Sequence, residues 1–416
     1  MSKRESRNLL VGLDIGTSKV VCAIGEVMQG GQLEVVGLGV QPSRGLKRGV
    51  VVNIDATVQS IRRAVDEAEI QANARVSTVF VGLSGSHIKS HNSVGVVPVK
   101  SREVSDRDVE AVIEAGRAMA IPADQKVIHV LPQEFVVDGA EGILRPVGMF
   151  GVRLEAKVHI VTGSLSAIQN LQKCVESCGL HVDRLCLQHV ASSDAVLLPD
   201  ERDLGICLVD IGGGTSDIAV FKGGSIRHTA VLPIAGDQVT NDISVAFRTP
   251  TQAAEEIKLK YGCALPALIQ QDEEIEVPSV GEGPPRRLSR LTLSEVIRPR
   301  YEELFRFVRK ELHRSEWYDT IAGGVVLTGG AATMPGVAEL AEEVFEIPTR
   351  VGLPHDVSGV RDVAKNPTYA TAVGLLIYGR HQLHPRVAIR AASGAGVGAG
   401  MQQWIERLSS WFKGNF

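Results

Sequence analysis

The feature that most constrains this chain is a repeat. Asn8 to Val27 reads NLLVGLDIGTSKVVCAIGEV, and Leu204 to Gly223 reads LGICLVDIGGGTSDIAVFKG. In each copy a β-branched, leucine-rich run meets Asp-Ile-Gly, a short Gly/Thr/Ser turn, and then a second β-rich run. Each therefore predicts a hairpin with an aspartate and a glycine-rich turn at its tip. A duplicated half-domain with a cleft between the copies is the economical explanation. Symmetric placement brings Asp14 and Asp210 to opposite walls of that cleft.

The rest of the chain fits an α/β protein. Gln32 to Val40 and Val76 to Leu83 read as strands, and Asp55 to Ala72 has helical apolar spacing. From about Ser84 the pattern changes. Val94 to Val99 reads as a strand, Ser105 opens a helix with Asp108 three residues on, and extended segments follow at 126–132 and 134–137. Glu155 to Gly163 then returns to a core-strand pattern, so an insert of β-α-β-β character interrupts the first half. Helices are expected at 166–178, 236–247, 251–261 and 370–378. A long amphipathic one, Leu293 to Leu312, is expected to kink at Pro299. The span 266–287 reads as exposed loop and edge strand. Beyond His381 periodicity is lost in a Gly/Ala-rich tether.

Composition narrows the function. With 44 Lys+Arg against 48 Asp+Glu the formal net charge is -4, which speaks against a generally basic nucleic-acid binder. No run approaches the roughly 18 to 20 apolar residues that span a bilayer. The polar N-terminus leads straight into a strand containing Asp14, which reads as the start of a domain rather than a secretory segment. Cys22, Cys174, Cys178, Cys186, Cys207 and Cys263 lie mostly in apolar runs and are expected to be reduced, buried thiols. The Cys174/Cys178 pair lacks further ligands for zinc.

Glycine-rich turns hold phosphates because they present backbone N–H groups without side-chain bulk. Gly16, Thr17 and Ser18 form one such turn, and Gly212 to Ser216 the other. Asp14 and Asp210 between them are suited to Mg²⁺. A single glycine turn of this kind is often an ordinary hairpin; two copies with an aspartate at the same offset point to a nucleotide.

DIGTSK and DIGGGTSD resemble the phosphate motifs of the actin, sugar-kinase and heat-shock-chaperone ATPase superfamily. VVLTGGAATMPG (325–336) resembles its adenosine motif, and 370–379 its second connecting helix. Within the superfamily the chain is similar throughout to the bacterial cell-division family FtsA, on VLPQEFVVDG, GMFGVRLEAKVHIVTG and LVDIGGGTSDIAVF. The resemblance implies an actin-like fold of two duplicated lobes around a nucleotide cleft. The first lobe would comprise 1–83, 158–187 and 360–385, interrupted by a small insert, 84–157, placed for filament contacts. The second would comprise 188–236 and 313–359, with 237–312 as its smaller subdomain. Residues 386–400 would be a tether.

The same resemblance implies a site for ATP and Mg²⁺. Asp14 and Asp210 would face the metal. Gly16, Thr17, Ser18, Lys19, Gly212, Gly213, Gly214 and Thr215 would surround the phosphates, with Gly236 approaching from the second half. Glu255 and Lys258, three apart on one helix, would meet ribose and base. Gly329 and Gly330 would pass under the adenosine, and Gln188 would position water. No confident general base stands out, so slow turnover is expected.

Met401 to Phe416 reads MQQWIERLSSWFKGNF. On a helix Met401, Trp404, Ile405, Leu408, Trp411 and Phe412 share one face, which holds two of the chain's three tryptophans. Tryptophans favour a lipid interface, although the segment's charge is nearly balanced; a groove on the same or another protein is the alternative. The resemblance favours the inner surface of the cytoplasmic membrane, with filament formation multiplying weak helices. It also implies that the 237–312 subdomain receives the C-terminal peptide of the tubulin-like FtsZ, with Arg300 and Phe305 as candidate contacts, and that other division proteins bind. The competing classes are an actin-fold small-molecule kinase, which has no use for the terminal helix, and a rod-shape cytoskeletal ATPase, which lacks the insert.

Overall fold

The computed structural model describes residues 8–281, 283–360 and 363–383. Two sheets repeat one plan. The first runs in the order His181–Leu187, Thr78–Leu83, Leu9–Ile15, Lys19–Val27, Leu33–Pro42, Val357–Gly359. The second runs Ser225–Leu232, Ser216–Lys222, Ile206–Ile211, Val325–Thr328, Thr349–Val351. In both, the strand carrying the aspartate pairs antiparallel with the strand after the turn and parallel with a strand supplied from later in the chain. The central strands are buried on both faces, which is why they read as continuous apolar runs rather than alternations.

Helices cover the sheets where apolar spacing dictates. Ile54–Ala72 starts at Asn53, whose Oδ1 accepts from Ala56 N at 3.0 Å, and stops at Asn73 with a left-handed φ of 48°. Its face of Ile61, Ala64, Val65 and Ala68 closes the core over the first sheet. Two helices, Gln188–Val196 and Ala370–Leu383, lie between the sheets and touch backbone to backbone. A Cβ on Gly374 would fall 1.8 Å from Ala191 O, so any side chain there drives them apart. Ala370–Leu383 outruns its expected end at 378.

The insert has its own four-stranded sheet, in the order Lys89–Pro98, Arg153–Ser164, Gln125–Val137, Ala140–Ile143. The helix Asp106–Arg117 lies against it. That helix opens with a full capping box, in which Asp108 does the work usually given to Glu: Ser105 N donates to Asp108 Oδ2 at 2.9 Å, and Ser105 Oγ accepts from Asp108 N at 3.4 Å. One expectation is corrected. Residues from 158 were assigned to the first lobe, yet Arg153–Ser164 pairs throughout with the insert's strands. A strand buried on both faces has the same pattern in either sheet, so periodicity had no means of choosing.

In the second lobe the expected helices Gly236–Phe247 and Thr251–Tyr261 are present. The span after them folds into a short 3₁₀ turn and a two-stranded hairpin, Glu274–Val277 with Arg286–Ser289. Arg290–Arg314 continues through Pro299 as one helix. Five of the six cysteines are buried, Cys178 is half-buried, and all are free thiols. Among the described residues no helix is long and apolar enough to cross a membrane. The segment 401–416, with Trp404, Ile405, Leu408, Trp411 and Phe412, lies outside the described residues.

Candidate nucleotide site

The two hairpin turns close in the same way. Gly16 N donates to Lys19 O at 3.0 Å, and Gly212 N to Thr215 O at 2.9 Å. They meet tip to tip. A Cβ on Gly213 would lie 2.8 Å from Ser18 Cβ, and one on Gly214 would lie 2.7 Å from Thr17 Oγ1. Only glycine lets the second turn approach the first this closely.

Asp14 and Asp210 are both buried, on strand ends of opposite lobes. Burial pushes Asp14 up to about 7, with the neighbouring charge of Asp210 adding to the effect and Lys19 and Gln188 opposing it. Burial likewise pushes Asp210 up to about 6, reinforced by Asp217. Two buried carboxylates on facing strand ends are the type of oxygen donor that a divalent cation takes. Each is held by a neutral donor. Gln188 Nε2 donates to Asp14 Oδ1 at 2.7 Å, and Thr371 Oγ1 donates to Asp210 Oδ2 at 3.1 Å. Gln188 thus orients an aspartate, a contact the water-positioning expectation did not include.

The residues expected to meet the adenosine are assembled from the second lobe. Gly236 N donates to Gly212 O at 3.1 Å, and Asp237 N to Gly213 O at 2.8 Å, so the helix beginning at Gly236 is bolted to the second turn. Lys258 is buried and donates to Gly236 O at 3.2 Å and Thr240 Oγ1 at 2.8 Å, with Glu255 at 2.6 Å. Tyr301 OH donates to Ala331 O at 2.9 Å and fixes the loop after Gly329–Gly330. Gly329 has φ +87, and a Cβ there would meet Asp210 Oδ1 at 2.4 Å. Lys19 Nζ lies 2.9 Å from where a Cβ on Gly330 would stand, and burial lowers this lysine's pKa against the pull of Asp14 and Asp210. The sequence-predicted residues of the two turns, both aspartates, Gly236, Lys258, Glu255 and Gly329–Gly330 therefore converge on one region.

Sequence reasoning missed a second cluster behind the turns. Ser84 Oγ lies 2.6 and 2.8 Å from the two carboxylate oxygens of Asp217 and 3.3 Å from Thr215 Oγ1. His189 Nδ1 lies 3.3 Å from Asp217 Oδ1. The signal was present in the repeat: where the first copy has Val21, the second has a carboxylate at the same offset, inside an otherwise apolar strand.

Two expectations outside the cleft fare differently. Phe305 is completely buried, packed between the tilted ring of Tyr301 and the edge-on ring of Phe345, so it belongs to the core and presents nothing to a partner. It follows the apolar stripe Ile297, Tyr301, Leu304, Phe305, Val308, Leu312 of its own helix. Arg300 is half-exposed and already held by Asp242 at 2.6 and 3.0 Å and by Glu303.

Comparison with known proteins places this arrangement. A family model described as cell division protein FtsA matches residues 207–374, and one described as the SHS2 domain inserted in FTSA matches 85–162. The cell division protein FtsA of Pseudomonas aeruginosa is 56% identical over the full length of both chains, and that of Escherichia coli K12 is 46% identical, again over 100% of each. Among solved structures, the PilM-PilN type IV pilus biogenesis complex superposes with a TM-score of 0.64 at 21% identity, covering 89% of this chain and 98% of that one. MreB 5 of Spiroplasma citri bound to AMPPNP superposes with a TM-score of 0.55 at 14% identity, covering 94% and 100%. The paired hairpins, the insert and the full-length identity lead to one conclusion: the chain has the actin-like ATPase fold and belongs to the cell division protein FtsA family.

Proposed function

We propose that this protein is a nucleotide-dependent adaptor of bacterial division. It binds Mg·ATP in its cleft, self-associates through its insert, attaches to the inner membrane surface through 401–416, and anchors FtsZ by that protein's C-terminal peptide. The observation that carries the nucleotide reading is the tip-to-tip approach of the two glycine turns beside two buried aspartates whose pKa values burial raises. The donor set fits the group: Asp14 and Asp210 for the metal, the backbone of 16–18 and 212–215 for the phosphates. Lys258, Glu255 and the bare backbone at Gly329–Gly330 suit the nucleoside. An MreB neighbour of the same fold was solved bound to AMPPNP.

Magnesium nucleotide supplies the charge that these two carboxylates and turns are built to balance. The protein's own groups then do the mechanical part. Gln188 keeps Asp14 aimed inward, Thr371 does the same for Asp210, and Gly236 and Asp237 transmit the position of the second turn to the helix they begin. Turnover is expected to be slow, with the nucleotide acting chiefly on conformation and assembly.

Self-association draws on an exposed apolar rim of the insert. Leu144, Val147, Met149, Phe150 and Val152 all face solvent, Phe150 at 79% exposure. Membrane attachment rests on the sequence pattern of 401–416, and the peptide receptor on the 237–312 subdomain, with Phe305 withdrawn from its surface. Two measurements test the proposal together. Calorimetry should show Mg·ATP binding that Asp210→Ala weakens about tenfold or more. Liposome co-sedimentation should lose the protein when the chain ends at Gly400 or carries Trp404→Glu. Unchanged affinity in the first, or equal pelleting in the second, overturns the corresponding part.

A further inference from the structure

A small hairpin, Leu46–Lys47 paired with Val50–Val51, stands beside the two phosphate turns. Its loop is Arg48-Gly49, and both residues have positive φ, 50° and 76°. That is the geometry of a type I′ turn, whose first central position is ordinarily Asn, Asp or Gly because a left-handed backbone crowds any larger L-residue. An arginine there is the wrong residue for the turn. Residues held in a disfavoured backbone region concentrate where the side chain is put to use.

The surroundings say what the use is. Gly49 N donates to Thr17 Oγ1 at 3.0 Å, which ties the hairpin to the first phosphate turn. A Cβ on Gly214 would lie 3.0 Å from Arg48 Cα, which sets the arginine against the second turn. Ser43 N donates to Ser18 O at 3.0 Å, fixing the approach strand as well. Arg48 is thus the one residue of this hairpin whose backbone abuts the second turn while its neighbour bonds to the first. Its side chain is exposed, and among the described residues the guanidinium has no hydrogen-bond or ion-pair partner. Most arginines among the described residues are engaged, Arg300, Arg309 and Arg350 among them. Lys19, the cation of the first turn, sits instead toward Gly330 and the aspartates.

We infer that Arg48 is a phosphate ligand of the cleft, placed by its strained turn to pair with the terminal phosphate of a bound nucleoside triphosphate. The inference rests on the nucleotide reading above. A guanidinium offers planar, paired N–H donors that suit a phosphoryl group, and a diphosphate bound in the same cleft leaves it nothing to hold. Arg48 is therefore the residue that tells triphosphate from diphosphate. The same hairpin abuts the root of the insert: a Cβ on Gly49 would fall 2.6 Å from Ser84 O.

The test compares full-length protein with Arg48→Gly, which keeps the left-handed turn and removes only the side chain, and with Arg48→Lys. A non-hydrolysable ATP analogue, ADP, and ADP with inorganic phosphate are titrated calorimetrically in the presence of Mg²⁺, alongside thermal melts of the free proteins. Arg48→Gly should lose about tenfold or more of its affinity for the triphosphate and less than about twofold for ADP. Arg48→Lys should recover part of the loss, and the free Arg48→Gly protein should melt no lower than wild type. If added phosphate tightens ADP binding in wild type but not in Arg48→Gly, the oxyanion ligand is supported with free phosphate as its second source. Equal losses for both nucleotides, no loss, or a loss that tracks a lowered melting temperature overturns the inference. If wild type binds neither nucleotide, it is the nucleotide reading that fails.

Discussion

Gln188 and Asp14 are joined by a 2.7 Å hydrogen bond across 174 residues of chain, from the first residue of one helix to the end of a strand in the first sheet. The next residue, His189, reaches Asp217 on the second hairpin at 3.3 Å. Two consecutive side chains thus hold carboxylates of both lobes, and the N-terminus of this helix is the fixed point about which the cleft is built. Gln188→Ala should destabilise the protein by about 2 kcal/mol, the usual cost of stranding a buried charged acceptor, as read from chemical denaturation. A change within error would mean that Asp14 finds another donor without cost.

The left-handed glycine at 329 makes a sharper prediction. Gly329→Ala places a Cβ in a backbone region that disfavours it and 2.4 Å from Asp210 Oδ1. Stability should fall by about 1–3 kcal/mol, and magnesium-dependent nucleotide binding should fall with it because the carboxylate has to move. Retained affinity in a folded Gly329→Ala protein would show that Asp210 does not need its present position.

Phe305 and Arg300 separate core from surface on one helix. Phe305→Ala should cost about 3–5 kcal/mol, as deletions of buried aromatics do, with an unfolding midpoint far below wild type. Arg300→Ala breaks a partly exposed pair with Asp242 and should cost only about 1 kcal/mol. If Phe305→Ala were as stable as wild type, the helix would not be packed as described.

Acid should loosen the insert. His159 bonds through Nδ1 to Asn92 Oδ1 at 2.7 Å and through Nε2 to Thr229 Oγ1 at 2.9 Å, an arrangement that a neutral ring satisfies at both nitrogens. Burial pushes this histidine down to about 3, helped by repulsion from His228 and other rings, and pushes His129 down to about 4. The unfolded chain therefore binds these protons more readily than the folded one. Stability should be full above the ordinary histidine value of about 6.5 and decline as pH falls from there toward 3. At about pH 5 His159 alone should account for roughly 2 kcal/mol. Denaturation midpoints of wild type and His159→Gln, measured at about pH 7.5 and 5, check this: the variant should show the shallower decline.

Much of this molecule was legible in its residues, for identifiable reasons. The two hairpins were found because their strands, turns and aspartates recur at one spacing, and a repeat constrains both copies at once. Helices with a clear apolar face, such as Ile54–Ala72 and Gly236–Phe247, were found by spacing. The misplacements share a cause too. The part of Arg153–Ser164 from 158 onward was assigned to the first lobe because partner choice is set by distant strands. Phe305 was offered as a partner contact on the resemblance, although its own apolar stripe pointed inward. The Ser84–Asp217–His189 cluster joins three segments distant in sequence, and only the departure of Asp217 from Val21 announced it.

The insert grows out of the first lobe, yet it is also fastened to the second. Ser90 Oγ donates to Thr229 O at 2.8 Å, Gln133 Nε2 to Ile226 O at 2.9 Å, and Glu134 holds Arg227 at 3.2 Å. A body anchored on both sides of a jaw cannot stay still while the jaw opens. Any opening of the cleft between Asp14 and Asp210 would have to break these contacts or carry the insert with it.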